Sequence, residues 1–454
     1  MKKSKLNSLV VITRLFIILM ITVSFGISEI NESTLFSLIS LLLILILILT
    51  QDCIEDFYLF LVLIPFSALI SINDRGVLFI FLGIAIIKLL QKDTRVTVIY
   101  VLSSLILLIL ETINDLFFVS IGNFLNIFMM LLYFICFIGF VDLKKYNHFK
   151  AVNYFTLSVL VVIIVTSIDS GGLFAGLEIN DNISESRFGE QTRNLGGAMG
   201  IPVYCLLLIT MHISYLLNNP NFRYKQYSYL IILASFIVGF LSISRIYLVG
   251  LTVILILLLM YSFKKPKSIF MFILIVGIMS FIFIINNEEI VVRVLDLFQE
   301  RIEPGGGSNE HYDVRFKIYE DSFKYLLEHP KALMFGLGIN NYAQIGLQEG
   351  YLFSAWAHNL YIDAILSFGF IGSIFIIIIL WSFYSKCKIY RGNPQVNISK
   401  LIPALTLGTI FLTEGSLNEF KIYIIILLLI LHVFFVERHS KNSPILNVNR
   451  KPNK

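Results

Sequence analysis

Runs with no charged residue, such as Leu35 to Thr50 and Ile422 to Val436, recur along the chain between short polar breaks. A membrane-crossing helix needs roughly 20 apolar residues, about 17 at the lower limit, with interfacial residues completing shorter runs. Read this way, the pattern predicts about fourteen spans, near residues 9–27, 35–50, 57–71, 77–90, 96–114, 122–141, 151–169, 195–217, 228–242, 246–262, 268–285, 359–384, 401–416 and 420–436. Barrel strands would show a weak alternation of apolar and polar residues instead, so the spans are read as helices. The expected fold class is all-α, a polytopic helical membrane protein.

Two polar stretches interrupt this rhythm, residues 170–194 and 286–357. Within the second, Phe316, Tyr319, Phe323, Leu326 and Leu327 recur at helical spacing between Tyr312 and Glu328, with charges on the other side, and Pro330 ends the pattern. An amphipathic helix is expected there, lying on the membrane surface or folded over a cavity. The run from Glu303 through Pro304, Gly305, Gly306 and Gly307 to Ser308 reads as a flexible joint. It lacks the GxxxxGK[ST] pattern of a nucleotide loop. The expected organisation is an N-terminal bundle over 1–169, a core over 170–385 holding both long loops, and C-terminal helices with a basic tail over 386–454.

Composition agrees. The chain is 57% hydrophobic and 14% charged, against roughly 25% charged in a soluble domain. The net charge of +5 matters through its distribution and gives no nucleic-acid signal. An N-terminus inside the cell puts Lys92 and Arg95, Lys144, Lys145 and Lys150, Arg223 and Lys225, Lys264, Lys265 and Lys267, Lys386, Lys388 and Arg391, and the basic tail on the cytoplasmic side. Ser28 to Thr34 is acidic and Asp115 to Gly122 has no basic residue, as outside loops should read. One loop breaks the rule: Gln51 to Asp56 is acidic yet falls inside. Lys2, Lys3 and Lys5 precede an apolar run as in a signal peptide, but Arg14 interrupts that run and no cleavage site stands out, so it is read as the first span. Cys53, Cys136, Cys205 and Cys387 form no CxxC, and neither a disulfide nor a metal site is expected.

The alternation starts spans 8, 10 and 12 at the outer surface. Arg187, Arg193 and Asn194 front the first, Ser244 and Arg245 the second, His358 and Asn359 the third. A helix start offers free N–H groups and partial positive charge, and an arginine fork beside it makes a site for phosphate or diphosphate. That positive end also disfavours imidazolium, keeping His358 neutral and able to take a proton. Each residue has a plainer reading: a snorkelling arginine at a span's end, a histidine that only bonds a helix terminus. Arg293, Arg301, Lys317, Lys324 and Lys331 read as solvated loop charge. Gly196, Gly197 and Gly200 with Pro202 serve close helix packing. Glu111 and Glu414 sit near the outer ends of spans and rank below the arginines.

The run LSISRIYLVGLTVILILLL from Leu241 to Leu259 resembles the Ser-x-Ser-Arg span that opens the shared region of the O-antigen polymerase and O-antigen ligase superfamily, the Wzy-like and WaaL-like proteins. The later order is similar too: Asp313, Val314 and Arg315 leading an amphipathic helix, His329 and Pro330, Phe335 to Gly338, then His358, Asn359, Leu360 and Tyr361 with Gly369 and Gly372. RFGEQTRNLGG, from Arg187 to Gly197, resembles the family's other outer loop, and either Arg187 or Arg193 could be its arginine. The likeness covers roughly residues 185–385.

What the resemblance implies is glycosyl transfer from an undecaprenyl diphosphate-linked oligosaccharide to an acceptor hydroxyl, at the outer face of a bacterial cytoplasmic membrane. No nucleotide sugar, metal or other cofactor is implied. His358 would be the general base, and Arg187, Arg193, Arg245 and Arg315, with Asn359, would hold the diphosphate and substrate. A chain-length regulator and a flippase are the implied partners beside membrane lipids. The residues read by themselves fit, because departing diphosphate is already a good leaving group and the enzyme must chiefly neutralise, position and remove one proton. Polymerase comes first on the long outer loop and the number of spans; a ligase shares the chemistry with another acceptor. A flippase or transporter is the third reading, against which no internal repeat and no midplane charge pattern is seen.

Overall fold

The computed structural model describes, in the main, residues 2–72, 78–90, 148–172, 197–218, 225–242, 244–262, 309–338, 341–351, 359–386 and 394–413, with isolated positions between. Regular structure there is helical, apart from a two-residue antiparallel hairpin that pairs Ser71 with Gly76 and Ile72 with Arg75. The helices are α1 (Lys2–Asn31), α2 (Thr34–Thr50), α3 (Cys53–Leu63), α4 (Leu78–Leu90), α5 (His148–Asp169), α6 (Gly197–Asn218) and α7 (Lys225–Leu241). They continue as α8 (Arg245–Ser262), α9 (Asn309–Glu328), α10 (Pro330–Phe335), α11 (Asn341–Glu349), α12 (Leu360–Lys386) and α13 (Pro394–Thr413). Ile12–Asn31, Phe149–Asp169, Gly200–Leu217 and Leu360–Ile378 are long and apolar enough to cross a membrane. Thr34–Thr50, Lys225–Leu241, Ile246–Leu259 and Leu401–Phe411 are shorter apolar helices. The spans expected near 96–114, 122–141, 268–285 and 420–436, with Glu111 and Glu414, lie almost wholly outside the described residues.

The chain divides into two compact units, one of residues 1–101 and 128–204, the other of 102–127 and 205–454. In the first, α3 is buried on every side from Phe57 to Ile64, as expected of a helix that is hydrophobic all round. Pro65 cannot continue its hydrogen-bond ladder, and the chain tightens into a 3-10 turn over Ile64–Leu69. Helix and turn together reach roughly 28 Å, about the thickness of a bilayer's hydrocarbon. Phe25 of α1 stacks on Phe66, with ring centroids 5.7 Å apart.

The acidic loop at 51–56 finds its counter-charges in this unit. Lys88 Nζ lies 2.6 Å from Asp56 Oδ2, and Gln51 Nε2 donates to Asp56 Oδ1 at 3.1 Å. Lys150 Nζ stands 2.6 and 2.7 Å from the two oxygens of Glu55, and over the rings of Tyr58 and Tyr154 at 4.8 and 5.4 Å. Arg14 reaches Glu55 at 4.0 Å. The carboxylates that contradicted the charge pattern are thus partnered by basic residues from α1, α4 and α5.

In the second unit α7 and α8 cross where Tyr247 lies on Gly239, so closely that any side chain at 239 would collide with the ring. The Tyr247 hydroxyl bonds the carbonyls of Ser235 and Phe236, both at 3.2 Å. Behind α8, Gly250 meets Leu206 of α6. Helices α9, α10 and α11 share one core with the start of α12, built from Ile318, Tyr325, Leu326, Leu337, Tyr342, Ile345, Ile362 and Leu366.

The expected amphipathic helix is present over Asn309–Glu328, rotated relative to its predicted face. Leu326 is buried as expected, but its companions are Ile318, Ser322 and Tyr325, while Phe323 and Leu327 are exposed. The reason is tertiary: α9 packs on the helices that follow it, and that contact chooses Ile318 and Tyr325 over the apolar pair on the opposite side.

Helix α12 is broken at Gly369, whose φ of 64° and ψ of −169° no longer continue the helix. The break frees the carbonyls of Leu366 and Ser367, and the loop after α10 takes them: Leu337 N–H donates to Leu366 O at 2.8 Å and Gly338 N–H to Ser367 O at 2.9 Å. Gly336, at φ 79°, comes so close that an added side chain would strike the Ser367 carbonyl, and one at Gly369 would strike the Gly336 amide. Both positions need glycine for their backbone angles and for the space.

Candidate functional site

Of the residues singled out in the sequence, Asn359 is the best defined. It is 7% exposed and caps α12: its Oδ1 accepts the backbone N–H of Tyr361 at 3.0 Å and of Ile362 at 3.3 Å. Asparagine is favoured here because its short side chain satisfies N–H groups that the first helical turn leaves open, worth about 1 kcal/mol. His358 immediately precedes this cap and lies outside the described residues. The α12 start is also held from the side, since the Tyr361 hydroxyl donates to Gly408 O of α13 at 3.4 Å.

Arg245 is the first residue of α8. Ser244 before it is buried, and its carbonyl accepts the N–H of Leu248 at 3.2 Å, the first bond of the helix. Tyr247, two residues on, anchors that turn to α7 through the contacts above. The backbone that carries Arg245 is therefore fixed at a helix start, where the first-turn N–H groups have no partner within the helix.

Arg315 belongs to the first half of α9. Lys317, Lys324 and Lys331 are exposed, in agreement with their reading as solvated charge; Arg293 and Arg301 lie outside the described residues.

Arg187 and Arg193 lie outside the described residues. Three of their neighbours are buried: Phe188, Thr192 and Leu195. Thr192 Oγ1 is 2.9 Å from Thr166 Oγ1 near the end of α5, which ties the residue beside Arg193 to a rigid helix of the first unit.

Two polar residues near the α12 start escaped the sequence reading. Asp363, 3% exposed, stands in the first turn, and its N–H donates to the Asn359 carbonyl at 2.9 Å. Tyr342 of α11, 1% exposed, donates its hydroxyl to the Asp363 side chain. Burial, with Asp363 beside it, holds that phenol well above its ordinary range, so it stays a hydrogen-bond donor. A carboxylate inside an otherwise apolar span was the available signal. On the same layer, burial with Glu349 nearby pushes Tyr325 up to about 12, and Tyr325 stacks on His329 with centroids 4.1 Å apart.

The described residues define a helical membrane protein in which a layer of three helices is keyed into a broken apolar helix. Residues 230–377 match the family model described as O-antigen ligase, a stretch that contains Arg245, Arg315, His358, Asn359 and the Gly336–Gly369 contact. Over that stretch the match supports the O-antigen ligase and polymerase superfamily. No curated protein sequence matches the chain.

Proposed function

We propose that this protein is a polysaccharide polymerase. It transfers the glycan of an undecaprenyl diphosphate-linked donor to a hydroxyl of a second lipid-linked repeat unit, at the outer face of the cytoplasmic membrane, in capsule, exopolysaccharide or O-antigen synthesis. The observation that carries the reading is the pair of built helix starts inside the matched domain, one bearing Arg245 and one capped by Asn359 directly after His358.

In this scheme Arg245 and Arg315, joined by Arg187 or Arg193, neutralise the donor diphosphate. Arginine suits the task because its planar fork meets two phosphate oxygens at once. His358 accepts the proton of the acceptor hydroxyl. The hydroxyl oxygen bonds to the anomeric carbon, the bond from that carbon to the diphosphate oxygen breaks, and the electron pair leaves with the lipid diphosphate. The arginine charge meets the negative charge that grows on the leaving group. No step calls on a metal or a nucleotide sugar. A chain-length regulator and a flippase are the partners such a reaction needs on either side of it.

The test is incubation of purified protein with a single lipid-linked repeat unit, with products resolved by size. A ladder of longer lipid-linked chains supports the polymerase; unchanged starting material overturns it. The description of the matching family model favours one second reading, a ligase that passes finished glycan to another acceptor. Cells deleted for the gene separate the two: long lipid-linked chains accumulate if a ligase is lost, and nothing beyond one unit forms if a polymerase is lost.

A further inference from the structure

Asp363 is a costly residue to keep where it is. It is almost fully buried in the first turn of an apolar helix, and a carboxylate removed from water loses solvation that its partners must offset. A leucine there, facing phenylalanine at 342, would extend the surrounding core of Ile345, Ile362 and Leu366 at no such cost. What an apolar pair lacks is direction. Apolar contacts let one helix slide or turn on another, whereas a hydrogen bond between two buried groups fixes both distance and angle.

The bond from Tyr342 to Asp363 does this one turn into α12. The clasp of Leu337 and Gly338 on Leu366 and Ser367 does it one turn further on. The attachments come from α11 and the loop after α10, and both act on the segment that begins at Asn359.

We infer that Asp363 and Tyr342 are positioning residues for glycosyl transfer: by locking the first turn of α12 to the layer of α9, α10 and α11 they fix the Asn359 cap, the backbone to which His358 is joined in the chain. The inference rests on the proposed function and deepens it. A general base works only within about 2.6–3.2 Å of the proton it takes, and a displacement of about 1 Å can cost on the order of 100-fold in rate. Asp363 and Tyr342 touch neither donor nor acceptor in this account; they act through the helix.

The experiment uses the full-length protein in detergent or nanodiscs. Its substrate is the single-unit lipid extracted from cells deleted for the gene, and kcat is normalised to monodisperse folded protein. Tyr342→Phe and Asp363→Leu each remove the bond; Asp363→Asn keeps an oxygen that accepts the Tyr342 hydroxyl. A positioning role predicts kcat lower by about 10- to 100-fold for Tyr342→Phe and Asp363→Leu with KM within about threefold, and most of the activity kept by Asp363→Asn. The double variant should be no worse than the weaker single one, since both changes break the same bond.

Full kcat per folded molecule in Tyr342→Phe overturns the inference, even if Asp363→Leu fails to fold. So does a loss that falls entirely on KM. Wild-type protein that neither lengthens nor transfers the glycan removes the proposed function and this inference with it, which separates that failure from a fully active Tyr342→Phe.

Discussion

Lys88 Nζ and Asp56 Oδ2 meet at 2.6 Å, although the two residues lie at the end of α4 and in the first turn of α3. Asp56 is fully buried, and Gln51 binds its other oxygen. The pair explains how an acidic loop sits among helix ends that are otherwise basic: it is the acceptor for cations delivered by neighbouring helices.

Removing one partner should therefore hurt more than removing both. Lys88→Met leaves an uncompensated buried charge and is expected to destabilise the protein by about 3–5 kcal/mol, while Lys88→Met with Asp56→Asn should regain most of the loss. Thermal unfolding in detergent, followed by intrinsic fluorescence, checks the order of the three proteins.

The glycine contact between the loop after α10 and α12 has a steric test. Gly369→Ala and Gly336→Ala each force a side chain into backbone at a positive φ, with about 1–3 kcal/mol of conformational strain before any clash is counted. Both variants should lose most chain extension. Gly83→Ala on α4, where an added methyl meets nothing within 4 Å, should be neutral or more stable by about 0.5–1 kcal/mol. Equal behaviour of all three would show that the clasp is dispensable.

Arg245→Lys should lose most activity although charge is kept, because lysine cannot offer two parallel donors to a diphosphate. Tyr247→Phe gives up the bonds to Ser235 and Phe236, about 0.5–1.5 kcal/mol of stability, but keeps the ring on Gly239 and so the place of Arg245. Product ladders and melting temperatures of the two variants should therefore diverge. Full extension by Arg245→Lys would make that arginine an interfacial anchor.

His358→Ala is expected to abolish chain extension while the protein still inserts and remains monodisperse. Normal polymer made by this variant in complemented cells would end its assignment as general base.

Thr192→Val breaks the bond to Thr166 without changing side-chain volume much. If Thr192 steadies the loop between Arg187 and Arg193, apparent affinity for the lipid-linked unit should fall by about three- to tenfold, since a net hydrogen bond is worth roughly 1 kcal/mol. Titration of initial rate against substrate reads this directly.

The sequence by itself determined the membrane class, the helical character and, among the described residues, the limits of helices such as Thr34–Thr50 and Leu78–Leu90. Lipid imposes those locally: a run of apolar residues must satisfy its backbone internally whatever surrounds it. The helix from Leu360 to Lys386 was legible for that reason, whereas Asn359, read from the sequence as a substrate-binding residue, was not read as the cap it forms. Arg245 was legible as the opening residue of a helix because Ser244 and the apolar run after it are read from neighbours in the chain.

Tertiary structure decided what depends on residues far apart. The face that α9 buries is chosen by the helices beneath it, so periodicity alone favoured Phe323 and Leu327 over Ile318 and Tyr325. Partners for Asp56 and Glu55 come from helices tens of residues away. The break at Gly369 is matched from across a loop, where the N–H groups of Leu337 and Gly338 take up the released carbonyls of Leu366 and Ser367 and Gly336 leaves the space for that approach. Periodicity and local charge report on one turn of helix at a time; a register between two elements exists only once both are folded.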